Sequence, residues 1–197
     1  MDEGADRLEV CGDLDVGGVT PPADLWAHAR GLGVPCVVMA RPVGGRFTLT
    51  DSDVNATVAD AERMLAEGPG GVVFGGLDRD GRVHRDLVRR LVALAGAQPT
   101  VFHRAFDHTP DLLESLDTLI DLGVTRVLSA GGRGRAMEGA GHLASLVHRA
   151  AGRIEILAGG GVRADHAQRL VDATGVQQLH ARATLPGVIA ALRAAVP

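Results

Sequence analysis

The chain has 197 residues, 46% hydrophobic and 22% charged, a balance that fits one globular domain and excludes a disordered chain. Its formal charge of −4 lacks the basic excess of a general nucleic-acid binder, so nucleic acid is not an expected partner. No apolar run nears the ~20 residues that span a bilayer, and the acidic start Met1-Asp2-Glu3 has no apolar stretch behind it, so neither a membrane partner nor a signal peptide is expected.

Short β-branched runs recur at intervals of about 25 to 35 residues, each followed by a polar turn and a segment of helical period. The first strand is expected over residues 7–11, followed by a helix over 23–32 whose Trp26 reads as a packing residue. A second strand over 36–41 leads to a helix capped by Thr50-Asp51-Ser52-Asp53, running to about Glu67 and stopped by Gly68-Pro69-Gly70. Residues 71–74 form the third strand, Asp80-Gly81 a turn, and 86–95 a helix. After a strand over 100–103, Pro110 is placed at a first helical position. The stripe Leu112, Leu113, Leu116, Leu119, Ile120 follows and ends at Gly123. Strands over 126–129, 154–158 and 176–180 alternate with helices over 138–151, 164–173 and 185–195.

Strict alternation of strand and helix implies parallel strands joined by right-handed crossovers. No linker or composition break divides the chain, so residues 1–197 read as one domain. The first turn, Gly12-Asp13-Leu14-Asp15, is not the phosphate-binding turn that opens a doubly wound sheet. Glu9 and Gln178 put polar groups inside apolar strands, as a barrel interior with a polar upper layer would. The expected fold is therefore α/β, a TIM-type (β/α) barrel with seven visible units.

The working face of such a barrel is the C-terminal end of its strands. Glu9, Cys11, Arg41, His103, Arg104, Asp107, Ser129, Gly159 to Gly161 and His180 fall there. Glu9, His103 and His180 are candidate acid–base catalysts. Arg41 and Arg104, with the amides of Gly159, Gly160 and Gly161 before a helix, are candidate anion binders. If Glu9 points inward, Arg41 or Arg104 is its expected partner. Cys11 is the candidate metal ligand, needing His or Met beside it. It ends one strand whereas Cys36 begins the next, so a five-residue strand separates them by about 16 Å, which excludes both a disulfide and a shared ion. Two free thiols fit a reducing cytoplasm.

The strings Gly4-Ala5-Asp6-Arg7-Leu8-Glu9-Val10-Cys11, Gly17-Gly18-Val19-Thr20-Pro21, Arg41-Pro42 with Gly44-Gly45, and Ser52-Asp53 open a recognisable pattern. It continues through Phe102-His103-Arg104-Ala105-Phe106-Asp107, Arg126-Val127-Leu128, Gly159-Gly160-Gly161-Val162 and Leu179-His180. Together they resemble the CutC family of copper homeostasis proteins. The resemblance implies a TIM-type barrel, a cytoplasmic location, and handling of copper as Cu(I), with Cys11 at the position of one family thiol. It implies no established reaction. The alternative is a barrel enzyme or binding protein for a small phosphorylated or carboxylated anion, so the expected partner is a metal ion or a small anion.

The first of the family's eight strand–helix units has no counterpart here. The strands over 7–11 and 176–180 would then be edges, expected either to touch directly or to be covered by a second copy in a homo-oligomer. Val43 and Arg46 replace an Arg and an Asp of the family's usual string, and Arg182 stands just past His180. Arg46 alters charge beside the cleft, while Arg182 either strengthens anion binding or points to solvent.

Overall fold

Each apolar run becomes a strand of one seven-stranded sheet in a computed structural model that describes residues 4–68, 70–183 and 186–196. The strands are β1 (Leu8–Val10), β2 (Cys36–Met39), β3 (Gly71–Phe74), β4 (Thr100–Phe102), β5 (Arg126–Ser129), β6 (Glu155–Ala158) and β7 (Gln178–Leu179). They lie side by side in chain order and every neighbouring pair is parallel. The helices are α1 (Ala23–Arg30), α2 (Asp51–Ala66), α3 (Arg85–Ala95), α4 (Leu112–Asp121), α5 (Ala140–Ala150), α6 (Ala167–Thr174) and α7 (Val188–Ala195). The sheet curls into a TIM-barrel-like fold, one helix after each strand.

The two-residue period sorts the strand side chains onto two faces. Val37, Met39, Val73, Val101, Leu128 and Leu157 form an apolar cluster of their own, with Cys11 packed against it, and this is the barrel interior. The alternate residues Val72, Phe74, Phe102, Val127 and Ile156 face outward and pack with Leu87, Leu91, Leu116, Leu119, Leu143 and Leu170 from the helices. Each such buried side chain contributes about 1.5–3 kcal/mol, so the outer layer carries most of the folding drive. Trp26 is fully buried among Val10, Val38 and Met64, and its indole Nε1–H donates to the Met64 carbonyl at 3.3 Å.

Local chemistry sets the helix ends. Thr50 and Asp53 form a reciprocal capping box at the start of α2. Pro110 is not the first helical residue: the Asp111 carboxylate accepts from the amides of Leu113 and Glu114, which makes Asp111 the cap and leaves Pro110 outside. The first turn expected of the sixth helix is instead irregular chain, and α6 begins at Ala167. Leu185, the expected start of the last helix, and Pro69 of the stop signal lie outside the described residues.

Among the described residues no backbone hydrogen bond joins β1 to β7. Side chains bridge this seam instead. Arg7 donates to the Gln178 amide oxygen at 2.7 Å, and His180 Nε2 lies 3.5 Å from the Glu9 carboxylate. Gln178 also donates to Glu155, which pairs with Arg126. Gln178 therefore belongs to a polar layer at the N-terminal end of the barrel, not to the upper layer expected of it.

Candidate functional site

Two residues beyond each interior position the chain reaches the C-terminal mouth. Arg41 follows Met39 on β2, Gly75 follows Val73, His103 follows Val101, Ala130 follows Leu128 and Gly159 follows Leu157. Gly75 carries no side chain, and a Cβ there would lie 2.4 Å from His103 Nδ1. The imidazole of His103 occupies that space.

His103 is 4% exposed. Its Nδ1 accepts from the Ala105 amide at 3.1 Å, so Nε2 carries the proton, and Nε2 is buried without a partner among the described residues. Burial, and next the charge of Arg41, hold its pKa down at about 3. It is a neutral, fixed donor at physiological pH. Phe47 covers it with ring centroids 5.5 Å apart, and the same ring lies 4.9 Å from the Arg41 guanidinium and 4.7 Å from His108.

Arg41 is buried, and among the described residues it pairs with no carboxylate. Its Nη1 donates to the carbonyls of Val16 and Gly18, at 3.2 and 2.8 Å, and its Nη2 to that of Arg46 at 3.3 Å. It fastens the β1–α1 loop to the β2–α2 loop. Arg46 turns away from the mouth and pairs with Asp53 of the capping box. Arg182 reaches back to the Leu14 carbonyl at 3.0 Å.

Asp107 organises the far side. Its fully buried carboxylate accepts from Arg104 Nε at 2.8 Å, the Ser129 hydroxyl at 2.5 Å, and the amides of Ala130 and Gly132. Arg104 Nη2 donates to the carbonyls of Gly134 and Gly132. The guanidinium lies against Gly160, where a Cβ would be 3.2 Å from Cζ, so only glycine fits. Gly160 and Gly161 also take φ of +96° and +77°. The glycine run is thus shaped for close approach of Arg104. It does not abut a helix, because five residues separate Gly161 from α6.

Glu9 meets neither arginine; His180 is its partner. Burial alone would lower the His180 pKa, but the hydrogen bond and charge of Glu9 outweigh it and raise the pKa. The mouth therefore holds two histidines of opposite character, one locked neutral and one readily protonated.

Cys36 pairs in register with Leu8, at the opposite end of the strands from Cys11, and both thiols are free. Burial and the charge of Glu9 push the Cys11 thiol up to about 11, against a smaller lowering by Arg182. One feature of this corner was not read from the sequence. Two sulfurs lie against Gly18: a Cβ there would be 3.0 Å from Met39 Sδ and 3.3 Å from Cys11 Sγ. The signal existed, since Met39 is two residues past the interior Val37, but a lone Met near a core carries no mark of its neighbour. Among the described residues no group of three or more His, Cys, Asp or Glu is placed to hold a metal ion.

A parallel strand–helix alternation, an apolar interior and a polar C-terminal mouth define a TIM-barrel-like protein. The chain belongs to the CutC family, which it matches over residues 1–185. It is 37% identical over 181 residues to the copper homeostasis protein cutC homolog of Homo sapiens, covering 91% of this chain and 66% of the human protein's length. It is 40% identical over 191 residues to the family protein CutC of Xylella fastidiosa strain Temecula1, covering 96% of this chain and 71% of that protein. The crystal structure of a CutC protein from Streptococcus agalactiae superposes with a TM-score of 0.85 at 34% identity, covering 91% of this chain and 89% of that one. A solved aldolase shares the fold alone, with a TM-score of 0.61 at 14% identity.

Proposed function

We propose that this protein handles copper as Cu(I) in cytoplasmic copper homeostasis, and that the ion is carried between Cys11 Sγ and Met39 Sδ. The observation that carries the reading is that both sulfurs lie against Gly18, Met39 from the end of β2 and Cys11 from just past β1. A thiolate and a thioether are soft donors that suit Cu(I) at low coordination number, whereas zinc would need a fuller donor set. The copper homeostasis name of the human relative supports the same reading. The donors of Arg41 and Arg104 are largely committed to backbone carbonyls and Asp107, which favours the sulfur pair over an anion as occupant of this mouth.

With its thiol held near 11, Cys11 is protonated at neutral pH, so uptake of Cu(I) releases one proton. Apparent affinity should then rise about tenfold per pH unit between pH 6 and 9. Titration of the reduced protein with Cu(I) against a chromogenic chelator tests this. Cys11→Ala should weaken binding roughly 100-fold or more, and Met39→Leu at least tenfold. Equal affinity of wild type and Cys11→Ala would overturn the proposal.

A further inference from the structure

An open groove of about 360 Å³ lies outside the mouth, between the β5–α5 loop and the N-terminal end of α6. Arg135, Arg163 and Arg169 line it. Among the described residues none of the three guanidiniums forms an ion pair. The two carboxylates in the groove are otherwise engaged: Asp165 holds His166 Nδ1 at 2.6 Å, and Glu138 accepts from the Arg135 amide at 3.0 Å. Its formal charge is positive in a chain that is negative overall.

The helix beside it is built against the usual rule. Acids belong in the first turn of a helix, where the dipole favours them. α2 has Asp51 and Asp53 there, and α4 has Glu114 with Asp111 as cap. α6, like α5 and α7, has no acid in its first turn and no side-chain cap; what it has there is Arg169. As in any helix, the first-turn amides of α6 have no intrahelical partner, and no side chain caps them. His166 cannot help, because its Nε2 accepts from the Arg163 amide at 3.3 Å while Nδ1 is held by Asp165. On the opposite wall the aliphatic stem of Arg135 packs on Gly161, which sets that guanidinium at the groove.

Three unpaired planar forks around one void ask for a multivalent oxyanion. We propose that this groove binds a phosphoryl group, held by Arg135, Arg163 and Arg169. The site is independent of the sulfur pair and takes a ligand of opposite charge.

Titration with inorganic phosphate and with glycerol 3-phosphate, followed by calorimetry at fixed ionic strength, tests the proposal. Saturable binding by the wild type is expected below about 10 mM, weakened about tenfold by Arg163→Gln and by Arg169→Gln. Both substitutions lie at the surface, and an unchanged melting temperature without ligand confirms that each variant is folded. Tighter binding of the ester identifies a phosphorylated metabolite as ligand, and equal binding identifies the phosphoryl group alone; either supports the site. No saturable binding of either probe, or affinities unchanged in both variants, overturns it. Cu(I) affinity of the same variants should match wild type, so the two proposals fail separately.

Discussion

His103 and His180 divide the pH response of the mouth between them. The neutral, buried His103 must be protonated when the chain unfolds below pH ~6.5, so its contribution is present above that value and is lost as pH falls toward 3. His180 has the opposite sign. Its folded pKa lies above the unfolded value, so the pairing with Glu9 stabilises fully below pH ~6.5 and fades as pH rises through the folded pKa. Glu9→Gln removes the raising partner and leaves burial to act alone. The His180 pKa, followed by imidazole NMR, should then drop below 6.5, while His103 stays neutral at pH 5 in both proteins. A His180 pKa unchanged by the substitution would dissolve the pair as described. Glu9 also shows the limit of reading single residues. That it shares a face with Cys11 was legible from the alternation of β1, but its partner was not, because a charge pattern names candidate cations without ranking them, and Arg41 and Arg104 were already committed to carbonyls and Asp107.

At the scale of elements, what the chain spelled out and what it left silent follow the range of the forces involved. Strand and helix succession rests on local period, and the capping box of α2 is written in Thr50 and Asp53. Failures occurred where a longer-range or side-chain-specific bond decided the outcome. Asp111 displaced Pro110 from the helix start, and α6 began at Ala167 rather than 164. Asp107 falls in the unusual Phe-His-Arg-Ala-Phe-Asp string, yet nothing in that string announces that its carboxylate gathers the amides of a loop more than twenty residues away. The two kinds of contact should differ in worth. Thr50→Ala loses one exposed-end cap, at about 1 kcal/mol. Asp107→Ala strands buried amides, a hydroxyl and the Arg104 guanidinium, at roughly 3–5 kcal/mol. Urea denaturation of the two variants measures the ratio, and equal losses would mean the Asp107 hub is not the anchor of the β5–α5 loop.

Taken whole, the barrel is uneven around its circumference. Six strand pairs are hydrogen-bonded ladders, and the seventh contact, β7 to β1, is made by Arg7–Gln178 and Glu9–His180. Seven units could be counted in the sequence, but the form of the closure could not, since it depends on curvature accumulated over every pair. Arg193 adds two bonds across the same boundary, to the Gly4 carbonyl and to Asp6. Stability should fall toward this side. In native-state hydrogen exchange, the amides of β7 should exchange faster than those of β3 and β4, whose residues are buried and laddered on both sides. Uniform protection around the sheet would contradict it.

That unevenness makes the molecule a split ring. Widening a fully laddered cylinder means tearing peptide hydrogen bonds, whereas here the circumference can spring apart at side-chain clasps, Arg7–Gln178 and Glu9–His180 together with the bonds of Arg182 and Arg193, while every ladder stays intact. The clasp nearer the rim is fastened through a titrating imidazole, so its grip loosens with alkalinity, and the thiol of Cys11 stands two residues from that fastening.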